Sequence, residues 1–332
     1  MPAPSPLVVG LDLGGTKIDA ALVGDDGAIR ARHTLPTPAT AGPEAVLDAL
    51  AEAAAAVRAP DTAAIGLAAA GVIDPGSGTV VSSTDAIRAW AGTALAAGLA
   101  SRTGLAVACD NDVRAAAATE LGEAEGGGGP RVTDAPLIYA AIGTGIGGAV
   151  AVGGRMLVGA AGVAGHLGHL PSPEADGLPC TCGGTGHLEA IASGPAITAR
   201  YARSTDSARS TDPARSTPTP ADRLQTIAAR AAHGDPHATA AITLGARATG
   251  RVLGGLANAL GPHRVVIAGG VTRIGAAYWT PLREAFQAEL IPPLKGLTPQ
   301  PPRVGHDAAV LGAATLTRTH PLHHPHATGA PR

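Results

Sequence analysis

Leu137–Val152, LIYAAIGTGIGGAVAV, is the stretch on which the fold turns. Leu137 to Ile142 is a short apolar run stopped by glycine, which predicts a buried strand. The turn Gly143-Thr144-Gly145-Ile146-Gly147-Gly148 satisfies G-x-G-x-x-G, so a dinucleotide-binding unit has to be considered. That unit needs a helix directly after the glycines and a carboxylate about 20 residues on to hold a ribose. Ala149–Val152 reads instead as a second strand, and Val163–Leu170 holds no acidic residue. The pattern predicts a strand–glycine–strand hairpin and disfavours an NAD-dependent dehydrogenase.

The chain opens on the same pattern. Leu7–Leu13 is a buried-strand run, Asp12-Leu13-Gly14-Gly15-Thr16-Lys17 a glycine turn, and Ile18–Val23 a second apolar run. Glycine lets backbone amides come close to a phosphate. An Asp in such a turn can hold Mg²⁺ through water, while a Thr hydroxyl and amides meet phosphate oxygens. The turn is not a Walker A loop, because G-x-x-x-x-G-K-[ST] is absent and no helix follows directly. Asp and Gly are also ordinary turn residues, so a plain tight hairpin accounts for the motif taken alone.

Two further stretches carry chemistry. Gly162–Glu189, GVAGHLGHLPSPEADGLPCTCGGTGHLE, gathers His169, Cys180, Cys182 and His187, with His166 and Glu189 beside them. Two thiolates and two imidazoles close a tetrahedral zinc site with no open position, which holds loops in place and performs no chemistry. The C-x-C spacing departs from the usual C-x-x-C, and two reduced thiols with two loop histidines also fit. Leu105–Cys109 reads as a strand, followed by Asp110-Asn111-Asp112 and an alanine-rich helix, Val113–Leu121. Carboxylates there sit at the usual mouth of an open α/β sheet. A helix N-terminus favours anions, so Asp112 is expected to be ionised at neutral pH. Helix capping explains part of this cluster, but three such residues in succession exceed what one cap uses.

Taken together these motifs resemble the ROK family (repressors, open reading frames, kinases). Its signature runs A-G-E-x-G-H, then G-x-x-C-x-C-G-x-x-G-C-x-E, and its catalytic stretch runs N-D-x-N-A-A-A-x-x-E. This chain departs at His166, where Glu is usual, at His187, where the third Cys is usual, and at Arg114, where the second Asn is usual. The D-x-G-G-T-K start is similar to that of the wider sugar kinase, heat-shock chaperone and actin superfamily. The resemblance implies an α/β, two-lobed actin-like (ribonuclease H-like) fold with a hinge cleft, its duplicated core gripping phosphates through both glycine hairpins. It implies an ATP-dependent hexose 6-kinase with Mg²⁺ and a structural Zn²⁺, usually a homodimer or homotetramer. Asp112 becomes the catalytic base. Gly71, Asp85, Asn111, His166, His169 and Glu189 become sugar contacts, although Asp85 stands where an Asn before Trp90 is usual and also fits a turn cap. Asp12, Gly14, Gly15, Thr16, Lys17, Gly143, Thr144 and Gly145 become the phosphate and Mg²⁺ site, and Gly269 and Gly270 the adenine and ribose site. His169, Cys180, Cys182 and His187 become the zinc ligands.

The implied domains are a lobe over 1–112 and a larger lobe over 113–304 with its zinc loop at 166–189. A helix near 305–318 crosses back to the first lobe. Arg203–Pro220 repeats Ser, Thr, Asp and Pro without apolar periodicity and is expected to be a mobile surface loop. Residues 319–332, rich in His and Pro, are expected to be disordered. Helices are expected over Pro43–Val57, Ala221–Ala232 and His237–Leu260, and strands over Ala64–Ala70 and Arg264–Ala268.

Composition sets the remaining bounds. The 332 residues suffice for two lobes, and with 2% aromatics the cores must be aliphatic. A formal net charge of −2 without a basic run argues against a nucleic-acid surface. No apolar run reaches the roughly 18 residues of a membrane span. Three cysteines, two in C-x-C, suit a reducing cytoplasm. By family frequency glucose leads as substrate. His166 and the stretches LPTPAT (Leu35–Thr40) and RVGHDAAVLGAA (Arg303–Ala314) look more like N-acetylmannosamine kinases, and N-acetylglucosamine is a further candidate. The rival within the family is a non-catalytic sugar-sensing regulator. Those carry a helix-turn-helix ahead of the phosphate motif, for which the six residues before Leu7 are too few.

Overall fold

The structure, a computed structural model, describes residues 6–84, 86–121, 135–209 and 224–325. The chain divides into two compact units.

The first unit comprises 1–122, 158–164 and 303–332. β1 (Leu7–Leu13) pairs antiparallel with β2 (Lys17–Val23), so the expected hairpin forms and sets Asp12 opposite Asp19. β3 (Ile29–Pro36) flanks β2, while β4 (Thr62–Ala69) runs parallel to β1. β5 (Val72–Asp74) and β6 (Thr79–Ser82) form a separate small hairpin. β7 (Ala106–Asn111) runs parallel to β4 and closes the sheet order β3-β2-β1-β4-β7. On α1 (Pro43–Val57) the buried residues include Val46, Leu47, Leu50, Ala54 and Val57, the stripe its spacing predicts. α2 (Leu95–Thr103) ends on Gly104 in the left-handed conformation. α3 (Asp112–Ala118) starts one residue earlier than its apolar pattern suggests, because Asn111 caps it.

A closing helix, Ala308–Thr319, lies against this sheet through glycine contacts. A Cβ on Gly66 would stand 1.8 Å from the Ala313 carbonyl oxygen, and one on Gly10 2.2 Å from that of Val310. On the helix itself, a Cβ on Gly312 would stand 1.9 Å from the Ala115 carbonyl oxygen of α3. Gly66→Ala must therefore push the helix off the sheet, and overpacking of this kind costs about 1–3 kcal/mol or more. A lowered denaturation midpoint is the expected result; an unchanged midpoint would mean that the helix is not seated on Gly66.

The second unit comprises 123–157 and 165–302. Its sheet order is β10-β9-β8-β11, from β8 (Leu137–Ile142), β9 (Ile146–Val152), β10 (Arg155–Met156) and β11 (Arg264–Ala268). β8 and β9 are antiparallel, with Ile142 opposite Ile146, so the glycine turn is a hairpin and the dinucleotide reading falls. The helices are α4 (Glu189–Ala192), α5 (Gly194–Arg209), α6 (Leu224–Ala232), α7 (Pro236–Leu260) and α8 (Ala276–Glu289). α7 is capped by the Asp235 carboxylate and ended by left-handed Gly261. Gly250 lets α8 lie close, since a Cβ there would meet the Leu282 carbonyl oxygen at 2.1 Å.

Three expected boundaries move. α3 packs on the closing helix, so the first unit continues past residue 112 to about 122 and regains 158–164. Residues 203–209 continue α5, so the expected loop is helical at its start, and 210–223 lie outside the described residues. Within the tail expected to be disordered, His323 pairs with Val107 of β7, and 326–332 lie outside the described residues.

Candidate active site

Each unit carries part of the expected site. In the first, the Gly14 amide donates to the Lys17 carbonyl (3.0 Å), and the Thr37 hydroxyl donates to the Gly14 carbonyl (2.7 Å). Neither Gly14 nor Gly15 has a left-handed φ. A Cβ on Gly15 would meet that of Ala86 at 3.4 Å, an ordinary van der Waals contact. Thr16 and Lys17 are exposed, and the Lys17 Nζ lies 3.5 Å from Asp19.

Asp110, Asn111 and Asp112 have separate tasks. Asp110 is buried and paired with the equally buried Arg114. Asn111 Oδ1 accepts the Val113 and Arg114 amides (3.0 and 3.2 Å) and so caps α3. Asn111 Nδ2 donates to the Gly71 carbonyl and to Asp112 Oδ1, both at 2.9 Å. Asp112 Oδ1 also accepts the Val113 amide at 2.9 Å. Burial pushes the Asp112 carboxyl up to about 6 against the hydrogen bonds that hold it down, so it is still mostly ionised at pH 7. Burial, reinforced by the charge of Asp112, pushes Asp12 up to about 7. Gly71 is left-handed (φ 113°), and a Cβ on it would meet the Ser82 carbonyl at 2.9 Å. Asp85 lies outside the described residues.

In the second unit, the Gly143 amide donates to the Gly145 carbonyl (2.8 Å), and Gly194 donates to that of Gly143 (2.9 Å). Thr144 forms the tip of this turn. Glu189, expected as a sugar contact, binds within the protein. Its Oε2 accepts the Ile146 amide (2.7 Å) and its Oε1 the Thr181 hydroxyl (2.6 Å). It thereby ties the Cys-rich loop to the glycine hairpin, a link between distant residues that no local pattern reveals. The loop also presses on β9, because a Cβ on Gly168 would stand 2.3 Å from the Ile146 carbonyl oxygen.

Cys180 Sγ lies 3.6 Å from His169 Nδ1, and Cys182 Sγ lies 3.2 Å from His187 Nδ1. Ligand atoms of these four residues all fall within 4.8 Å of one another, as a four-coordinate metal requires. The His166 ring stacks 6.3 Å from that of His169. Gly269 is left-handed (φ 95°), and a Cβ on it would collide with the Ile142 carbonyl oxygen at 2.3 Å. Gly270 opens a short 3₁₀ turn to Ile274.

The sequence pattern that defines the ROK family matches residues 8–320. The chain belongs to the ROK family. It is 33% identical over 324 residues to a glucokinase of Streptomyces coelicolor, covering 94% of this chain and 98% of the relative. It is 35% identical over 315 residues to an N-acetylmannosamine kinase of Escherichia coli, covering 93% and 97%. The structure of a ROK glucokinase from Streptomyces griseus in complex with glucose and AMPPNP superposes with a TM-score of 0.76 at 31% identity, covering 94% of this chain and 99% of that one. The α/β fold of the ROK sugar kinases is thus the fold of this chain. No described helix is long and apolar enough to cross a membrane.

Proposed function

We propose that this ROK protein transfers the terminal phosphoryl group of ATP to the 6-hydroxyl of a free hexose or N-acetylhexosamine. The observation that carries the reading is Asp112: a half-buried aspartate at the start of α3, its carboxylate oriented by Asn111 and by the Val113 amide. In phosphoryl transfer such a carboxylate orients the attacking hydroxyl and takes its proton. Asn111, Gly71, His166 and His169 would hold the sugar. Both glycine hairpins, through Gly14 to Lys17 and Gly143 to Gly145, would supply amides to the phosphates, and Gly269 and Gly270 would border the base and ribose.

Asp12 suits Mg²⁺. It is a carboxylate pushed up by burial and by a neighbouring negative charge, and a divalent cation would relieve both. Bound there, Mg²⁺ would offset charge on the phosphate oxygens. The Cys180, Cys182, His169 and His187 set suits Zn²⁺, with His187 keeping four ligands where Cys is usual. Elemental analysis should find one zinc per chain, and chelation should lower the melting temperature. A metal-free protein of full stability would overturn the zinc assignment. A homodimer or homotetramer in a reducing cytoplasm completes the proposal, resting on family habit and on free Cys109, Cys180 and Cys182.

Activity should depend on pH through Asp112. Its carboxyl titrates at about 6, and the protonated form cannot accept the alcohol proton, so kcat/KM should fall as pH drops through that value. A flat profile from pH 5 to 8 would contradict the role. The deciding assay is ADP release with glucose, mannose, N-acetylglucosamine and N-acetylmannosamine, with and without Mg²⁺. Turnover with at least one sugar, dependent on Mg²⁺, is expected. Silence with every sugar would favour a sugar-sensing regulator. His166, in place of an acidic residue, bears on the choice between glucose and an N-acyl sugar, and the relative rates decide it.

A further inference from the structure

β7 is the edge strand of the first unit's sheet and leads directly into Asp112. The residues that follow the closing helix dock along it. The His323 amide donates to the Val107 carbonyl (2.8 Å), and the Val107 amide donates back to that of His323 (3.0 Å). Between helix and bridge, His320 turns inward. Its side chain is only 15% exposed, and its Nε2 lies 3.0 Å from Oδ2 of the buried Asp110. The Thr319 hydroxyl lies 2.9 Å from its Nδ1, fixing the ring from the other side. The second oxygen of Asp110 accepts the Asn111 amide (2.6 Å) and Arg114 Nε (2.7 Å). Arg114 Nη2 donates to that oxygen as well (2.5 Å), and Nη1 and Nη2 also donate to the carbonyls of Gly162 (2.8 Å) and Ile73 (3.0 Å). A continuous chain of hydrogen bonds therefore runs from His320 through Asp110 to Asn111, whose side chain holds Asp112.

We infer that the segment after the closing helix is a working part of the active site, with His320 as a positioning residue that sets the Asp112 carboxylate through Asp110. The inference rests on the kinase reading above. Its physical basis is that Asp110 is clamped on both oxygens. Without the imidazole, Oδ2 loses its donor, and the carboxylate can rotate and carry the Asn111 amide with it. The family pattern ends at residue 320, so the bridge between His323 and Val107 of β7 lies beyond the matched residues.

The test compares full-length wild type with His320→Ala, His320→Gln and His324→Ala, the last an exposed neighbour. It measures kcat, KM for sugar and ATP, and amide exchange at Asn111, Val113 and Arg114. Small misplacements of reacting groups cost up to about a hundredfold, so His320→Ala should lower kcat about ten- to hundredfold with KM little changed. Exchange at the three amides should accelerate. Gln places an N–H near the same point and should restore most of the rate, while His324→Ala should behave as wild type. Wild-type kcat in His320→Ala, or equal impairment of the Gln and Ala variants, would overturn the inference. A wild-type protein that phosphorylates no sugar would sink the kinase reading instead, and amide exchange would still decide whether His320 restrains the Asp110–Asp112 segment.

Discussion

Asp112→Asn should fold as the wild type does and lose about 10²- to 10⁴-fold in kcat, the usual worth of a positioned proton acceptor. The geometry separates the two properties. The amide oxygen of Asn can still accept from Asn111 Nδ2 and from the Val113 amide, the contacts that seat Asp112 at the start of α3. Nothing in the cap of that helix depends on the charge, because Asn111 supplies the cap. What the substitution removes is the lone pair that takes the sugar's proton as the phosphoryl group arrives. Sugar binding should survive, so the loss should appear in kcat with KM changed much less. A variant with near-wild-type turnover would remove Asp112 as the base.

Arg114→Met should have the largest effect on stability, about 3–5 kcal/mol, because it leaves a buried carboxylate without its countercharge. Arg114 and Asp110 are each 1% exposed. Burial is the strongest influence on Asp110 and pushes its pKa up, yet hydrogen bonds from His320 and Arg114 hold it below its ordinary value. An acid held low in the folded state stabilises the protein above the unfolded pKa of about 3.9, and that contribution disappears as pH falls through the lowered value. In Arg114→Met the balance should reverse, with Asp110 rising and stability improving on mild acidification. Denaturation at pH 7 and pH 5 measures both effects. A variant within about 0.5 kcal/mol of wild type, the range of ordinary surface substitutions, would show that the pair does not hold the β7–α3 corner together.

How legible each part was depended on where its determinants lie. Both glycine hairpins could be read because short apolar runs flank a turn with nothing helical after it, and β1–β2 and β8–β9 form as the pattern implies. α1 and α7 announced themselves by period. β3 leaves only a weak trace in the sequence: Ile29, Ala31, His33 and Leu35 alternate with more exposed residues, but Arg and His break the apolar signal of this edge strand. α8 was hidden by Pro281 inside it, and α2 by its small residues. In the site, the Cys and His cluster was visible from residue type, whereas Glu189 finds its partners at Ile146 and Thr181, which no local pattern connects. In the sequence Arg114 stands out only as a departure from a motif. The four-residue spacing from Asp110 was the available signal, since residues so placed can meet at a helix start. His320 was masked by its surroundings, because a tail rich in His and Pro has the composition of a chain with no fixed partner.

Whether Asp112 faces the reacting alcohol is decided by a crystal structure of the ternary complex with an accepted sugar, Mg²⁺ and a non-hydrolysable ATP analogue. An Asp112 carboxylate oxygen should lie about 2.6–3.2 Å from the sugar's 6-hydroxyl, the reach of a general base. A 6-hydroxyl bonded to a different side chain, with Asp112 out of reach, would contradict that placement.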